Sequence, residues 1–144
     1  MPKVVYTKGK GLVQEGGNGF IVGSNLTITS ATDGLIHTNS GTATQATNAT
    51  TAVTLNATSG VVTTFAATLA TNTEVEFTLT NSTIQADSVV LLSMQDENTQ
   101  AASALIVSCN TVAAGSCILK QFNGGSGTAS ATANKIHFLI INNS

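Results

Sequence analysis

The chain has 144 residues, a formal net charge of −2 and only 8% charged side chains, against about 25% in a typical soluble domain. Thr, Ala, Ser, Asn and Gly together account for 81 residues, and neither Arg nor Trp occurs. This composition argues against a nucleic-acid-binding protein, which needs clustered Lys and Arg to neutralise phosphates, and against a helical bundle. The 24 Thr residues favour strands instead. No run of 18 apolar residues occurs, so we expect no membrane-spanning segment.

The first 19 residues differ from the rest of the chain. Three of the five Lys lie before residue 11, and five of the eleven residues from 9 to 19 are Gly. Such a segment buries too little apolar surface to hold one structure by itself, so we predict an extended arm over residues 1–19. One interpretation is a frayed terminus; the other is an arm that becomes ordered on a partner by strand addition. On the second interpretation, the candidate attachment residues are Lys3, Val4, Val5, Tyr6, Lys8 and Lys10.

Residues 20–144 are predicted to form one domain built from strands. Short apolar or alternating runs are separated by Gly, Asn, Ser and Thr, a spacing typical of a sandwich or barrel. In the clearest run, residues 74–80, apolar and polar side chains alternate strictly, which indicates a half-buried strand. We therefore predict an all-β fold, a single antiparallel β-sandwich that is jelly-roll-like or immunoglobulin-like. The candidate strands are Phe20–Val22, Leu26–Ile28, Leu35–His37, Ala52–Leu55, Val61–Phe65, Glu74–Thr80, Ser88–Met94, Ser103–Cys109, Ser116–Phe122 and Lys135–Ile141.

Two of these strands contain runs that are apolar on both faces, Val89–Leu92 and Ala104–Val107. Such runs indicate central strands, or strands with one face against a partner subunit. Two other segments, residues 66–70 and 98–105, have enough Ala for helix formation, but both are too short to be stable independently. We predict one helical turn at most in each.

The Cys and His residues are few. The strands around Cys109 and Cys117 are predicted to form a hairpin that turns at residues 111–115, so a cross-strand disulfide is conceivable. Two free thiols that pack as small hydrophobic groups are the favoured alternative, because the N-terminus shows no apolar run typical of a secretory signal. His37 and His137 add two possible ligands, but no pair has the spacing of a structural zinc site. His137 is predicted to lie on the surface of its strand.

The remaining polar residues form no catalytic pattern. Glu74 and Glu76 share the polar side of one strand, whereas a glycosidase needs two carboxyl groups in different environments. Asp96 and Glu97 fall in a predicted solvated loop that lacks the spacing of a calcium loop. Ser126 lacks Gly-x-Ser-x-Gly spacing and is predicted to lie at a flexible hairpin tip. We therefore predict no enzyme activity, no metal and no cofactor.

Residues 41–56 read Gly-Thr-Ala-Thr-Gln-Ala-Thr-Asn-Ala-Thr-Thr-Ala-Val-Thr-Leu-Asn. This run resembles the start of a β-sandwich module of tailed-bacteriophage virion proteins, where a Gly-Thr-x-Thr-Gln-x-Thr-x-x-x-Thr-x-Val-Thr-Leu-Asn pattern is common. The likeness extends to about residue 142. The further stretches that carry it are residues 59–64, 77–82, 87–92, 112–117 and 136–141.

The resemblance implies a structural protein of the virion. In long phage proteins such modules look like parts of fibres or tails, whereas here the module fills most of the chain, which favours a small capsid decoration, or cement, protein. Such a protein would be made in the cytoplasm of the host bacterium, bind the major capsid protein at the capsid surface and form a homo-oligomer, with a trimer favoured. The alternative is a host-recognition or carbohydrate-binding module of a fibre or tail, which the lack of Trp and the single Tyr disfavour.

Overall fold

The computed structural model describes residues 3–7, 11–15, 39–97, 99–100 and 102–143. Every regular element in these ranges is a strand and none is a helix, so the predicted all-β class is confirmed. The chain divides into two compact units, Met1–Ile36 and His37–Ser144. The division thus falls after residue 36, whereas the sequence predicts a boundary after residue 19.

The first unit contains a β-hairpin. β1 (Lys3–Thr7) and β2 (Gly11–Glu15) pair in antiparallel fashion along their whole length. The segment predicted as one extended arm therefore folds back on itself within residues 3–15. Pairing gives the backbone N–H and C=O groups of each strand a partner that a single extended segment lacks. The candidate strands that lie outside the described residues are 20–22, 26–28 and 35–37.

The described part of the second unit contains ten strands. They are β3 (Ser40–Thr44), β4 (Val53–Thr54), β5 (Ser59–Thr63), β6 (Ala67–Leu69), β7 (Thr73–Thr80), β8 (Val89–Gln95), β9 (Leu105–Ala113), β10 (Ser116–Asn123), β11 (Ala129–Thr132) and β12 (Lys135–Ile141). Each of the seven strands predicted between residues 52 and 141 is present. The helical turn predicted within residues 66–70 is wrong, because β6 lies there and pairs with β11.

Two four-stranded sheets and one two-stranded sheet organise these strands. One large sheet has the order β4-β7-β10-β9 and the other β3-β5-β12-β8, while β11 pairs with β6. Most neighbours are antiparallel, but β3 runs parallel to β5 and β4 runs parallel to β7, so the purely antiparallel prediction is wrong at these two edges. The reason lies in the connections: β3, β4 and β5 alternate between the two large sheets, and strands joined by a crossover can run parallel.

One hydrophobic core joins the two large sheets. Leu79 and Leu119, on adjacent strands of one sheet, are completely buried, as are Val62 and Ile136 on adjacent strands of the other. A core formed by the inner faces of two sheets is the arrangement expected for the predicted β-sandwich. The same cluster also contains Val53, Phe77, Ile84, Cys117, Phe138 and Ile140.

Buried Asn side chains hold the loops at the margins of this core. Asn81 is fully buried, and its Nδ2 donates to the Ala57 carbonyl oxygen at 2.7 Å. Asn123 is also fully buried and donates from Nδ2 to the carbonyl oxygens of Leu69 and Gly127, at 2.9 and 2.8 Å. These bonds give loop and strand-end carbonyl groups a partner inside the protein. Part of the abundant Asn is therefore structural.

Candidate functional site

The candidate attachment residues are only partly within the described ranges. Lys8 and Lys10 lie outside them. The candidates that lie in β1, one strand of the N-terminal hairpin, are Lys3, Val4, Val5 and Tyr6. Their role in attachment stays a prediction.

An apolar cluster is exposed on the outer face of the β3-β5-β12-β8 sheet. Leu139 and Ile141 on β12 lie opposite Leu91 and Val89 on β8. Val89, Leu91 and Ile141 are 45%, 49% and 46% exposed, and Leu139 is half-buried. We call these four residues the apolar face. His137 is exposed beside it, as predicted, and lines a shallow depression together with Leu91 and Leu139.

The two runs that are apolar on both faces belong to edge strands. Val89–Leu92 lies in β8 and Ala104–Val107 runs into β9, and among the described strands each is at the edge of its large sheet. Within that part of the chain, the prediction of central strands is therefore wrong. Leu92 and Val107 pack against the core, whereas the outward-facing Ile106 is 57% exposed. The other interpretation, that one face meets a partner subunit, stays a prediction.

The outer face of the other large sheet carries charge instead. Lys120 on β10 pairs with Glu74 and Glu76 on β7, with Nζ–carboxylate distances of 3.0 and 3.1 Å. Asn110 Nδ2 donates to Glu76 Oε1 at 2.9 Å, and the hydrogen bonds to Glu74 and Glu76 raise the pKa of Lys120. The predicted polar side of this strand is confirmed. Because both carboxylates share one cation, they lack the contrasting environments that acid–base catalysis at a glycosidic bond needs.

Cys109 and Cys117 are both free thiols, which confirms the favoured prediction. A bulge at Asn110 shifts the β9–β10 register, so that Cys109 lies opposite Leu119 and Cys117 opposite Val112. The two thiols are therefore diagonal neighbours and not a facing pair. Burial, followed by the proximity of Cys109, raises the pKa of Cys117 to about 12. A protonated, buried thiol acts as a packing group and not as a nucleophile.

A cavity of about 250 Å³ is lined by residues of β6, β7, β9, β10 and β11. Phe65, Val75 and Leu105 supply apolar surface, and Gln121 lies beside them. Gln121 is only 7% exposed, and its Nε2 has no hydrogen-bond partner among the described residues. The volume is below the range of about 300–1,000 Å³ that is usual for ligand pockets. The cavity is therefore smaller than a usual ligand pocket, and it lies beside an amide Nε2 with which no described residue pairs.

Three loop residues were considered from the sequence as candidates for catalysis or cation binding: Asp96, Glu97 and Ser126. Asp96 and Glu97 are exposed, as predicted, and Glu97 pairs with Lys135 at 3.2 Å. Ser126 does not lie at a hairpin tip, because β10 is followed by β11 of the small sheet. In the loop between β10 and β11, the backbone N–H of Gly127 donates to the carbonyl oxygen of Ala102, in the loop that precedes β9, at 3.0 Å.

Neither the burial of Gln121 nor the ion pairs of Lys120 are predicted from the sequence. The first had a signal: β10 alternates strictly, and the positions of Cys117 and Leu119 place Gln121 on the same inward side. The ion pairs had no signal in the sequence, because they depend on strand pairing. The register of β10 with β7 sets Lys120 opposite Glu76, which lies about forty residues earlier in the chain.

In the part of the chain that the structure describes, no group of three or more His, Cys, Asp or Glu side chains is arranged to hold a metal ion. Within the same residues, no helix has the length and apolar character needed to cross a membrane. Comparisons with protein-family models, with curated proteins and with solved structures give no match. Function must therefore be inferred from the surfaces of the molecule.

Proposed function

We propose that this protein is a non-enzymatic structural protein of the bacteriophage virion, which decorates the capsid and stabilises it by binding the major capsid protein. The apolar face carries the proposal. On a chain with 8% charged residues, Val89, Leu91 and Ile141 lie about half exposed on one sheet, where a partner surface can cover them. The resemblance of residues 41–142 to virion modules supplies the identity of that partner.

Covering the apolar face provides a moderate binding energy. Complete burial of one aliphatic side chain contributes about 1.5–3 kcal/mol, so burying the exposed halves of Val89, Leu91 and Ile141 contributes roughly 2–4 kcal/mol in total. That corresponds to an affinity gain of roughly 30- to 1,000-fold. Association costs at least as much in lost translational and rotational freedom. A second contact is needed, and we assign it to the N-terminal segment with Lys3–Tyr6.

The scarcity of charge fits repeated contacts between identical subunits. A net charge of −2 on 144 residues produces little repulsion when many copies are held close together on one shell. A subunit that binds the assembled shell, and not its separated parts, stabilises the shell by mass action. No chemical step is required of it.

Binding to capsids tests the proposal directly. The full chain should co-sediment saturably with expanded heads of its own phage, and the decorated heads should withstand a higher temperature before they release DNA. Deletion of residues 1–19 should abolish binding while the circular dichroism of the second unit is retained. Lack of saturable binding by the full chain would refute the function, and full binding by the truncated chain would refute only the role of the N-terminal segment.

Matched substitutions test the apolar face. Ile141→Asp should weaken head binding at least tenfold, because an unpaired carboxylate resists burial in an apolar contact. Ile106 is even more exposed, at 57% against 46% for Ile141, but it lies on the other large sheet, so Ile106→Asp should bind like the unmodified chain. Equal losses in the two variants would show that the apolar face is not the contact surface.

A further inference from the structure

Sheet edges expose a row of unpaired backbone N–H and C=O groups, which proteins usually shield with short strands, bulges, charged residues or Pro. Two of the four edges of the large sheets are shielded in this way, because β4 has only two residues and β9 is interrupted by the bulge at Asn110. The third edge, β3, has five residues, and its outward side chains are the polar Ser40, Thr42 and Thr44.

The fourth edge, β8, has none of these devices. Its seven residues, Val-Val-Leu-Leu-Ser-Met-Gln, include no charged residue, no Pro and no Gly. Its register with β12 is unbroken from Val89 to Gln95. The outward side chains of Val89 and Leu91 are 45% and 49% exposed. No described strand other than β12 pairs with β8, so among the described residues its other side is a regular, uncharged and apolar template for another strand.

We propose that β8 pairs with β8 of a second copy of the chain, in antiparallel orientation about a two-fold axis at Leu91. The pairing joins the β3-β5-β12-β8 sheets of two copies into one continuous sheet. It sets Leu91 opposite its own copy, Val89 opposite Ser93 and Val90 opposite Leu92.

The side chains and the charge of β8 favour a second copy as the occupant. β8 itself contains no charged residue, so no like charges face each other along the paired strands, and the acidic Asp87 and Asp96 lie just beyond its two ends. Leu139 lies beside Leu91 on the neighbouring strand, so the two-fold pairing creates an uninterrupted row of four Leu side chains across the junction. A register centred on Leu92 would instead set Leu91 opposite Ser93 and break this row. An interface of this kind uses the same patch on both subunits, as two-fold symmetry requires.

The pairing stands apart from capsid attachment, since it needs no other protein. It would nevertheless double the width of the apolar face, because each copy contributes its own Val89, Leu91, Leu139 and Ile141 on the same side of the joined sheet. The symmetry is two-fold, in contrast to the trimer implied by the resemblance to virion modules.

The mass of the full chain in solution is the first test. Light scattering after size-exclusion chromatography should give twice the 14.5 kDa of one chain. Leu91→Lys should raise the dimer dissociation constant at least 100-fold, because two ammonium groups would face each other at the axis. Ile106→Lys, on the other large sheet, should leave the dimer unchanged. A monomeric or trimeric full chain, or a Leu91→Lys variant that stays dimeric, would overturn the proposal.

Cross-linking tests the register. In a Cys109→Ser background, Leu91→Cys should form a covalent dimer with oxidised glutathione, whereas Ser93→Cys should not, since Ser93 faces Val89 of the other copy. Cys117 is buried and unreactive in both variants. Equal cross-linking of the two variants would overturn the register, and thermal unfolding by circular dichroism checks that each variant is folded.

Discussion

Replacing Gln121 by Met should stabilise the fold. Gln121 is 7% exposed beside the cavity of about 250 Å³, and its Nε2 has no hydrogen-bond partner among the described residues. A buried donor left unpaired costs about 1–3 kcal/mol, because water satisfies the same group in the unfolded chain. Met has nearly the same length and no donor, and its flexible thioether fills irregular spaces well. The substitution therefore removes a penalty without creating a larger cavity.

The expected gain in the free energy of unfolding is about 1 kcal/mol, at the low end of that range. For a chain of this size, a change of about 1 kcal/mol raises Tm by roughly 3–4 °C. An effect of this size is well resolved in urea unfolding.

Gln45 provides the matched control, since it is the same residue type in the same unit and is 3% exposed. Its Nε2 donates to the carbonyl oxygens of Ala49 and Thr51 at 3.0 and 2.8 Å, and its Oε1 accepts from the Phe65 backbone N–H at 2.9 Å. Gln45→Met would leave three backbone groups without these partners. At about 1 kcal/mol for each lost bond, we expect a loss of about 3 kcal/mol.

Urea unfolding followed by far-ultraviolet circular dichroism compares the two variants with the unmodified chain. Equal slopes with midpoints displaced in opposite directions are the expected result. If both substitutions lower the midpoint by similar amounts, burial alone governs these Gln residues, and the reasoning from hydrogen-bond satisfaction is refuted.

Two further predictions concern the core. Gly60→Ala should destabilise the second unit by about 1–3 kcal/mol, because an added Cβ would lie 2.6 Å from the Gly41 carbonyl oxygen and 2.9 Å from Leu55. Ser59→Ala should change stability by under about 0.5 kcal/mol, and an equally small effect of Gly60→Ala in urea unfolding would contradict the close approach of β3 and β5. In a Cys109→Ser variant, Cys117 should resist alkylation by iodoacetamide at pH 8 and react only in urea, because burial raises the pKa of its thiol to about 12. Mass spectrometry measures the labelling, and rapid labelling of the native chain would contradict this prediction.

The strand positions could be predicted because the relevant pattern is local. Residues 74–80 and 135–141 alternate between apolar and polar or surface positions, and both segments are strands with the expected inward side. A period of two fixes which side of a strand faces the core, whatever the strand pairs with. The same alternation correctly predicts that the side chains of Glu74, Glu76 and His137 lie on the outer faces of their sheets.

Pairing partners could not be predicted in the same way. β6 is only three residues long and lies in the Ala-containing segment 66–70, and it becomes a strand by pairing with β11, about sixty residues later. The parallel edges of β3 and β4 likewise depend on crossovers between sheets that no local pattern encodes. The N-terminal segment has β-forming residues in two short runs, and their mutual pairing within residues 3–15 is not visible in the composition of either run.

The runs at residues 89–92 and 104–107 are apolar on both faces of their strands, and this pattern is compatible with two different structures. A strand that is apolar on both faces is covered on both, either by layers of its own chain or by another molecule. In this fold β8 and β9 are edges, and the layers of the described chain cover their inner faces only. Ser40, Thr42 and Thr44 occupy the outward positions of β3 in the same sheet, so the architecture itself does not require Val89 and Leu91 to be apolar. A partner surface would explain their character, and the pairing proposed above places the start of that surface at the edge of β8.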